Sequence, residues 1–439
     1  MNKYYIRELD EYSKTDILNI IKKEEYFNQL RDYLIINIEN DRYQFNYVGV
    51  ILIGDIVIYC YPKYIPNENN IEDDFKQIIN VIKKYKKYSK HLDYEKEYLN
   101  DDHFNLLSMM IFFVHDYFEN GVYTNFLKTH EINGTDEINW DKTINEKFPI
   151  IKNKSPYYLE FYTRYKFNDL YDFFRLLHEH IITECSRRLD DVGLLELFDL
   201  TPAILSDTSL DDFGSINYIT EKIDKELNIE FNSHKQDLLN AMKSYISLTN
   251  FFSNNDILTV YGTKTYYHVW EVMISEVFNN QLNKSLADLG FEEEDKLIDV
   301  IKKPKWNLRE GFFETKTFVP DLITIYDNQF IILDAKYYKL KFENNSLTKQ
   351  PGLSDVTKQY LYQLAFKEFI DKYEFDRVKN AFLLPTYCDE IINRGHVELN
   401  ILSELELENI QVIMLPSRRI NKLYLDNEKI NISELMNFL

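Results

Sequence analysis

Cysteine is nearly absent: the 439 residues hold three, Cys60, Cys185 and Cys388, far apart in the chain. That number and spacing exclude a disulfide framework and a CxxC zinc site, and they fit a reducing cytoplasm. Glycine (11) and proline (10) are too scarce for a collagenous or low-complexity chain. Long apolar runs are missing as well. The opening MNKYYIRELDEYSK is charged from its third residue, and the most apolar stretches, Leu106–Val114 and Val48–Tyr61, are short or broken by Asp55. Neither secretion nor a membrane span is expected. Basic charge is in deficit, with 51 Lys and Arg against 72 Asp and Glu, a net charge of −21. A large all-round basic surface for DNA is thereby excluded, and any nucleic-acid contact has to be local or delegated.

What is present is the composition of a globular protein, 45% apolar and 28% charged, with length for roughly two to four domains. The β-branched and aromatic run Tyr43–Tyr64, split at Gly54-Asp55, predicts a hairpin or two adjacent strands. Apolar residues at Phe75, Ile78, Ile79 and Ile82 predict a helix that closes a small N-terminal β-containing module, residues 1–95. Helical periodicity dominates the next stretch, in LLSMMIFFVHDYF and LYDFFRLLHEHIITECSRRL, and defines a mainly helical middle region, 96–255. From about Asp256 the pattern becomes helix, strands, helix and strands, which places the last domain at 256–439 and makes the fold class mixed α/β. No repeat of 20–50 residues is visible, so solenoids and propellers are excluded.

The informative segment is TFVPDLITIYDNQFIILDAKYY, residues 317–338, in which two β-rich runs flank the turn-prone pair Asp327-Asn328. If those two residues form the loop, Tyr326 pairs with Gln329 and Asp321 lies opposite Asp334. Side chains alternate along a strand, so Lys336 shares the face of Asp334. Three charges converging beside Ile331, Ile332 and Leu333 are costly unless something stabilises them. One or two Mg2+ ions, with Mn2+ as a substitute, would do so, because magnesium takes a few carboxylate oxygens, keeps several waters and accepts phosphate oxygens. Asp321 and Asp334 are then metal ligands, and Lys336 polarises the attacking water or stabilises developing phosphorane charge. Phosphodiester hydrolysis is the chemistry this set suits.

Upstream, the helix in TYYHVWEVMISEVFNNQL offers Glu271 or Glu276 as a third metal carboxylate, with Glu271 preferred. Downstream, SDVTKQYLYQLAFKEFI carries Gln359 and Gln363 one turn apart, with Lys358 beside them, where a glutamine could bind a phosphate or a water near the metal. Bland alternatives stand beside each assignment: a structural Asp334–Lys336 ion pair, a solvated charge at Glu271, an exposed polar stripe on the second helix.

The order of a helical Glu, PD, DxK and a helix with Lys-Gln resembles the PD-(D/E)xK nuclease superfamily. The segments VGVILIGDIVIYCYPKY, EINWDKTI, VWEVM and DVTKQYLYQLAF resemble the LlaJI restriction endonuclease family, relatives of McrC, over most of the chain. The resemblance implies a C-terminal PD-(D/E)xK core with a mixed central sheet flanked by helices. It implies metal ligation by Asp321 and Asp334, catalysis by Lys336 and supporting roles for Glu271 and Gln359. It further implies a McrBC-like, type II-like restriction endodeoxyribonuclease that cuts double-stranded DNA with a separate McrB-type AAA+ GTPase, in antiviral defence. The chain has no GxxxxGK[ST] stretch of its own. Lys302, Lys303, Lys305, Arg309, Arg418 and Arg419 are candidates for a local basic surface. A competing class is a non-catalytic adaptor or activator of a partner NTPase, with a degenerate nuclease fold.

Other motifs carry less. His115-Asp116 is the HD pair of metal phosphohydrolases without its supporting residues, and a packed histidine is the plainer reading. His178 and His180 are two apart, a poor zinc pair on a helix. Trp140 is expected to pack at the start of a helix. No Ser-His-Asp or Cys-His signature is evident.

Overall fold

The computed structural model describes residues 2–66, 71–89, 106–251, 258–343 and 346–439. The chain divides into two compact units, residues 1–100 together with 258–439, and residues 101–257. No helix among the described residues is long and apolar enough to cross a membrane.

The first unit begins with β1 (Asn2–Arg7), β2 (Glu11–Tyr12), α1 (Lys14–Ile21), α2 (Glu24–Asp32), β3 (Ile36–Glu39), β4 (Arg42–Phe45), β5 (Val48–Ile53), β6 (Ile56–Tyr61) and α3 (Ile71–Ser89). Ser13 starts α1 through a capping box, its hydroxyl accepting from the Asp16 amide while Asp16 accepts from the Ser13 amide. β5 and β6 form the expected hairpin, turning at Gly54-Asp55. β1 lies parallel to β6 on one side, and β11 (Leu258–Thr263) pairs antiparallel with β5 on the other, giving the order β1-β6-β5-β11. The residues read from sequence as an N-terminal module and as the start of the last domain therefore share one sheet. Gly49 and Gly262 face each other in that pairing, and a Cβ on Gly262 would sit 2.2 Å from the Val48 carbonyl oxygen and 2.7 Å from the Gly49 Cα. Only glycine permits so close an approach.

After β11 come α9 (Tyr266–Val277), the hairpin β12 (Lys305–Leu308) and β13 (Gly311–Glu314), then β14 (Leu322–Tyr326) and β15 (Gln329–Ala335). They are followed by the small hairpin β16 (Lys341–Glu343) and β17 (Ser346–Thr348), α10 (Leu353–Lys372), β18 (Arg377–Thr386), β19 (Ile392–Val397), β20 (Ile410–Pro416), α11 (Ser417–Leu425) and α12 (Ile432–Met436). A five-stranded mixed sheet runs β14-β15-β18-β20-β19, parallel in its middle and antiparallel at both edges. α10 makes the crossover between the parallel strands β15 and β18. Phe330 and Ile332 of β15 pack with Tyr362, Phe366 and Phe369 of α10 in one apolar cluster. Alternation along β15 then brings Asp334 and Lys336 out on that same face, just past the cluster.

The second unit holds α4 (Leu106–Asn120), β7 (Phe126–Ile132), α5 (Trp140–Glu146), β8 (Ile150–Lys152), β9 (Ser155–Tyr157), β10 (Tyr162–Asn168), α6 (Phe173–Asp191), α7 (Ile216–Leu227) and α8 (Ser233–Phe251). The helices match the expected helical region. The β7–β10 ribbon does not, and its residues are exposed along nearly their whole length. A strand exposed on both faces has no apolar alternation to betray it in sequence. Trp140 does open a helix, but 52% of it is exposed, so the expected packing role is corrected. Asp116 accepts from His234, 2.7 Å away, while His178 accepts from the Tyr123 amide and the His180 ring meets the Thr208 carbonyl.

Replacing Gly262 with Ala should cost at least about 1–3 kcal/mol, the usual penalty of overpacking, measured by urea denaturation. Wild-type stability in that variant would show that the β5–β11 approach is not tight.

Candidate active site

The hairpin β14–β15 has the register read from the sequence. Tyr326 pairs with Gln329 and Leu322 with Leu333, and both turn residues, Asp327 and Asn328, take positive φ as a two-residue type I′ turn requires. Continuing the register one step sets Asp321 against Asp334. The Ala335 amide donates to Asp321 Oδ2 at 2.9 Å, which locks the first carboxylate onto the end of the opposite strand.

Lys336 Nζ lies 2.6 Å from Asp334 Oδ2 and 3.3 Å from Asp355 Oδ1. Asp355, in the first turn of α10, also accepts from the Gly352 amide and the Tyr338 hydroxyl. Burial, then the charges of Asp334 and Glu271, push Asp321 up to about 8. Burial likewise raises Asp334, against the pull of Lys336. For Lys336 burial works in the opposite direction, and the Asp334 carboxylate outweighs it, holding the ammonium charged. Two carboxyls side by side in a nearly dry setting disfavour each other's ionisation, and Lys336 offsets this more at Asp334 than at Asp321, so without a metal burial and repulsion favour one proton retained by the pair, at Asp321.

α9 is fixed by Trp270, fully buried, whose indole N–H donates to the Leu383 carbonyl at 3.1 Å. The Lys336 amide donates to that same oxygen at 2.9 Å. Glu271, next to Trp270, is partly exposed and 2.9 Å from His268 Nδ1. A cleft of ≈ 630 Å³ collects Glu271, Lys336, Tyr338, Asp355, Lys264 and Lys63 on its walls. Glu276 points its carboxylate towards Lys84, at 3.7 Å, and does not line this cleft.

Gln359 and Gln363 are both buried, which corrects the exposed stripe. Gln359 donates to Asn380 Oδ1 at 2.6 Å and reaches the Ile332 carbonyl at 3.5 Å, so it braces β15 against β18 two residues before Asp334. Gln363 makes a two-way bond with the Glu408 backbone. Sequence reasoning did not single out Asp355, Tyr338, Tyr362 or Glu8. Tyr362 donates to the Val319 carbonyl at 3.0 Å, and its hydroxyl is raised by burial and then by Asp334 and Asp321, which marks it as a neighbour of the acid pair. Tyr337 donates to Glu8, a buried carboxylate at the end of β1.

Among the described residues no three His, Cys, Asp or Glu side chains gather tightly enough to hold a metal ion by themselves. The donor chemistry at Asp321 and Asp334 nonetheless fits a hard divalent cation that keeps most of its waters, because the pair has a proton to exchange for it.

The mixed sheet thus ends in two opposed aspartates with a lysine beside them. A sequence profile of the LlaJI restriction endonuclease family matches residues 47–418, and the chain belongs to that family. The type II restriction enzyme BsuMI component YdjA of Bacillus subtilis (strain 168) is 29% identical over 414 residues, covering 90% of this chain and 83% of that protein. A chain in a half-complex from a tetradecameric assembly of Thermococcus gammatolerans McrB AAA+ hexamers with bound McrC is 11% identical over the whole of both chains, with a TM-score of 0.42. That likeness is too distant for its assembly to be transferred here.

An acid raised on folding contributes stability that is complete below its ordinary value of 3.8 and lost as pH rises through about 8. The metal-free wild type should therefore lose melting temperature relative to Asp321→Asn between about pH 4 and about pH 8, with no further loss above that. Added Mg2+ should restore it in the wild type, more at the higher pH, and not in the variant. A difference that ignores pH rules out the retained proton.

Proposed function

We propose that this chain is the DNA-cleaving subunit of a McrBC-like restriction system, hydrolysing phosphodiester bonds of double-stranded DNA with Mg2+, or with Mn2+ in its place. The observation that carries the reading is the opposed pair Asp321 and Asp334 with the Lys336 ammonium, which lines an open cleft, 2.6 Å from Asp334. Family membership supports it.

Asp321 and Asp334 would hold the metal, with Glu271 on the cleft wall as the third carboxylate. When bound, magnesium supplies Lewis-acid polarisation of the phosphate and a more acidic water. The chain's own residues do the rest. Deprotonation of the acid pair provides the negative charge that the cation needs. Lys336 keeps its proton at neutral pH and offers it, as a charged hydrogen-bond donor, to oxygen that gains charge in the transition state. Asp355 limits where that ammonium can swing, and Gln359 and the Leu383 carbonyl fix the strand that carries it. No covalent intermediate is invoked.

The description of the Bacillus relative as a component of a restriction enzyme supports reading this chain as one subunit of several. We take the partner to be a separate McrB-type AAA+ GTPase, since the chain has no P-loop sequence and its charge is acidic. The non-catalytic adaptor is a second reading, favoured by the ion pairs that already occupy Lys336 and by the lack of a third gathered ligand among the described residues.

A Mg2+-dependent plasmid cleavage assay, with and without the partner GTPase, separates the two. Asp334→Ala should abolish cleavage and Lys336→Ala should lower it by on the order of 100-fold or more, both with unchanged circular dichroism. Cleavage by Lys336→Ala at the wild-type rate, or none by the wild-type pair of subunits, would sink the catalytic reading.

A further inference from the structure

A second hollow of ≈ 470 Å³ adjoins the first and shares Glu8, Leu9, Lys63 and Tyr338 with it. Its walls carry five cations, Arg7, Lys63, Lys339, Lys341 and Lys349. In a chain of net charge −21 such a gathering needs a reason. Four carboxylates also line it: Asp10 is bound to Arg7 at 2.9 Å, which takes that pair out of the balance, Glu8 is buried and accepts from Tyr337 and from the Lys63 amide, and Glu11 and Glu39 complete the set against the four lysines. The lysines disfavour one another. Lys339 is lowered by burial and then by Arg7, with Lys341 and Lys349 adding to the effect against Asp10. Burial lowers Lys63, and Lys349 adds to it while Glu8 opposes.

Cations held together against their own repulsion are stabilised by an anion that bridges them. The topology says which anion. Lys339 and Lys341 follow Lys336 directly along the chain, and the hairpin β16–β17 returns Lys349 to the same hollow. A linear polyanion lying over Lys336 would therefore run on into the second hollow. We propose that Lys339, Lys341 and Lys349, with Lys63 lining the same hollow, bind the backbone phosphates next to the one being cleaved. They act as positioning residues for the DNA strand. This rests on reading the first cleft as the phosphodiester-cleaving site.

The test measures binding, so that it stands apart from cleavage. The full chain carrying Asp334→Asn is titrated with a fluorescent DNA duplex over a range of salt, beside the same chain with Lys339→Ala and Lys349→Ala, and with both lysines changed to Arg. The alanine pair should reduce the slope of log affinity against log salt by about 2, roughly 0.9 per phosphate contact, and the arginine pair should keep it. Melting temperatures should stay level, which separates lost contacts from lost structure. An unchanged slope in the folded alanine pair, or no salt-dependent binding by the parent chain, overturns the proposal. So does competition by inorganic tripolyphosphate at the hollow without any effect of the alanine pair on DNA, which would make it a free-anion site; displacement by an acidic peptide alone would make it a protein contact. If the slope falls as expected while wild-type cleavage is unaffected by Lys336→Ala, the phosphate track stands and the catalytic reading falls.

Discussion

Two carboxyl groups forced together in a place with little water are the constraint around which the C-terminal sheet is built. Removing each from solvent is costly, and setting one against the other adds repulsion, so neither burial nor proximity is explained by stability alone. The protein meets the cost locally, with an ammonium 2.6 Å from Asp334 and a backbone amide on Asp321. Everything nearby restricts movement: a two-residue turn that allows one register, a glutamine bracing the strand from below, a tyrosine anchored to Val319. On the function proposed above, a bound cation would relieve that tension.

The acid pair was legible in the sequence because its geometry depends on short-range rules. Asp327-Asn328 tolerate positive φ, the flanking residues are β-branched, and a hairpin with a fixed loop leaves its register no freedom. Glu8 and Asp355 were not legible. Glu8 reaches the site because β1 pairs with β6, a contact over some fifty residues that no local pattern announces, and Asp355 reads in sequence as an ordinary first-turn acid of a helix. Gln359 and Gln363 show the reverse failure: polar residues one turn apart suggest a wet surface, but α10 is packed along much of its length and both amides bond inward, Gln359 to Asn380 and the Ile332 carbonyl, Gln363 to the Glu408 backbone. The exposed β7–β10 ribbon was invisible for want of a buried face.

Charge tells a similar story. Lys302, Lys305, Arg418 and Arg419, basic residues conspicuous in the linear sequence, are each bound to an acid, respectively Glu368, Glu314, Asp74 and Glu434. The cations that converge on one hollow come from β1, the loop after β6 and the stretch after DxK, segments far apart in sequence that the fold brings together. Net charge describes the average surface, while ligand binding depends on what the fold gathers at one point.

The carbonyl oxygen of Leu383 accepts from both the Trp270 indole and the Lys336 amide. A single atom is thus the common datum from which the positions of a helix and of the Lys336 backbone are measured. Both bonds tie their elements to β18, so the neighbour of Trp270 on the helix and the residue that carries the ammonium take their places from one strand rather than from two.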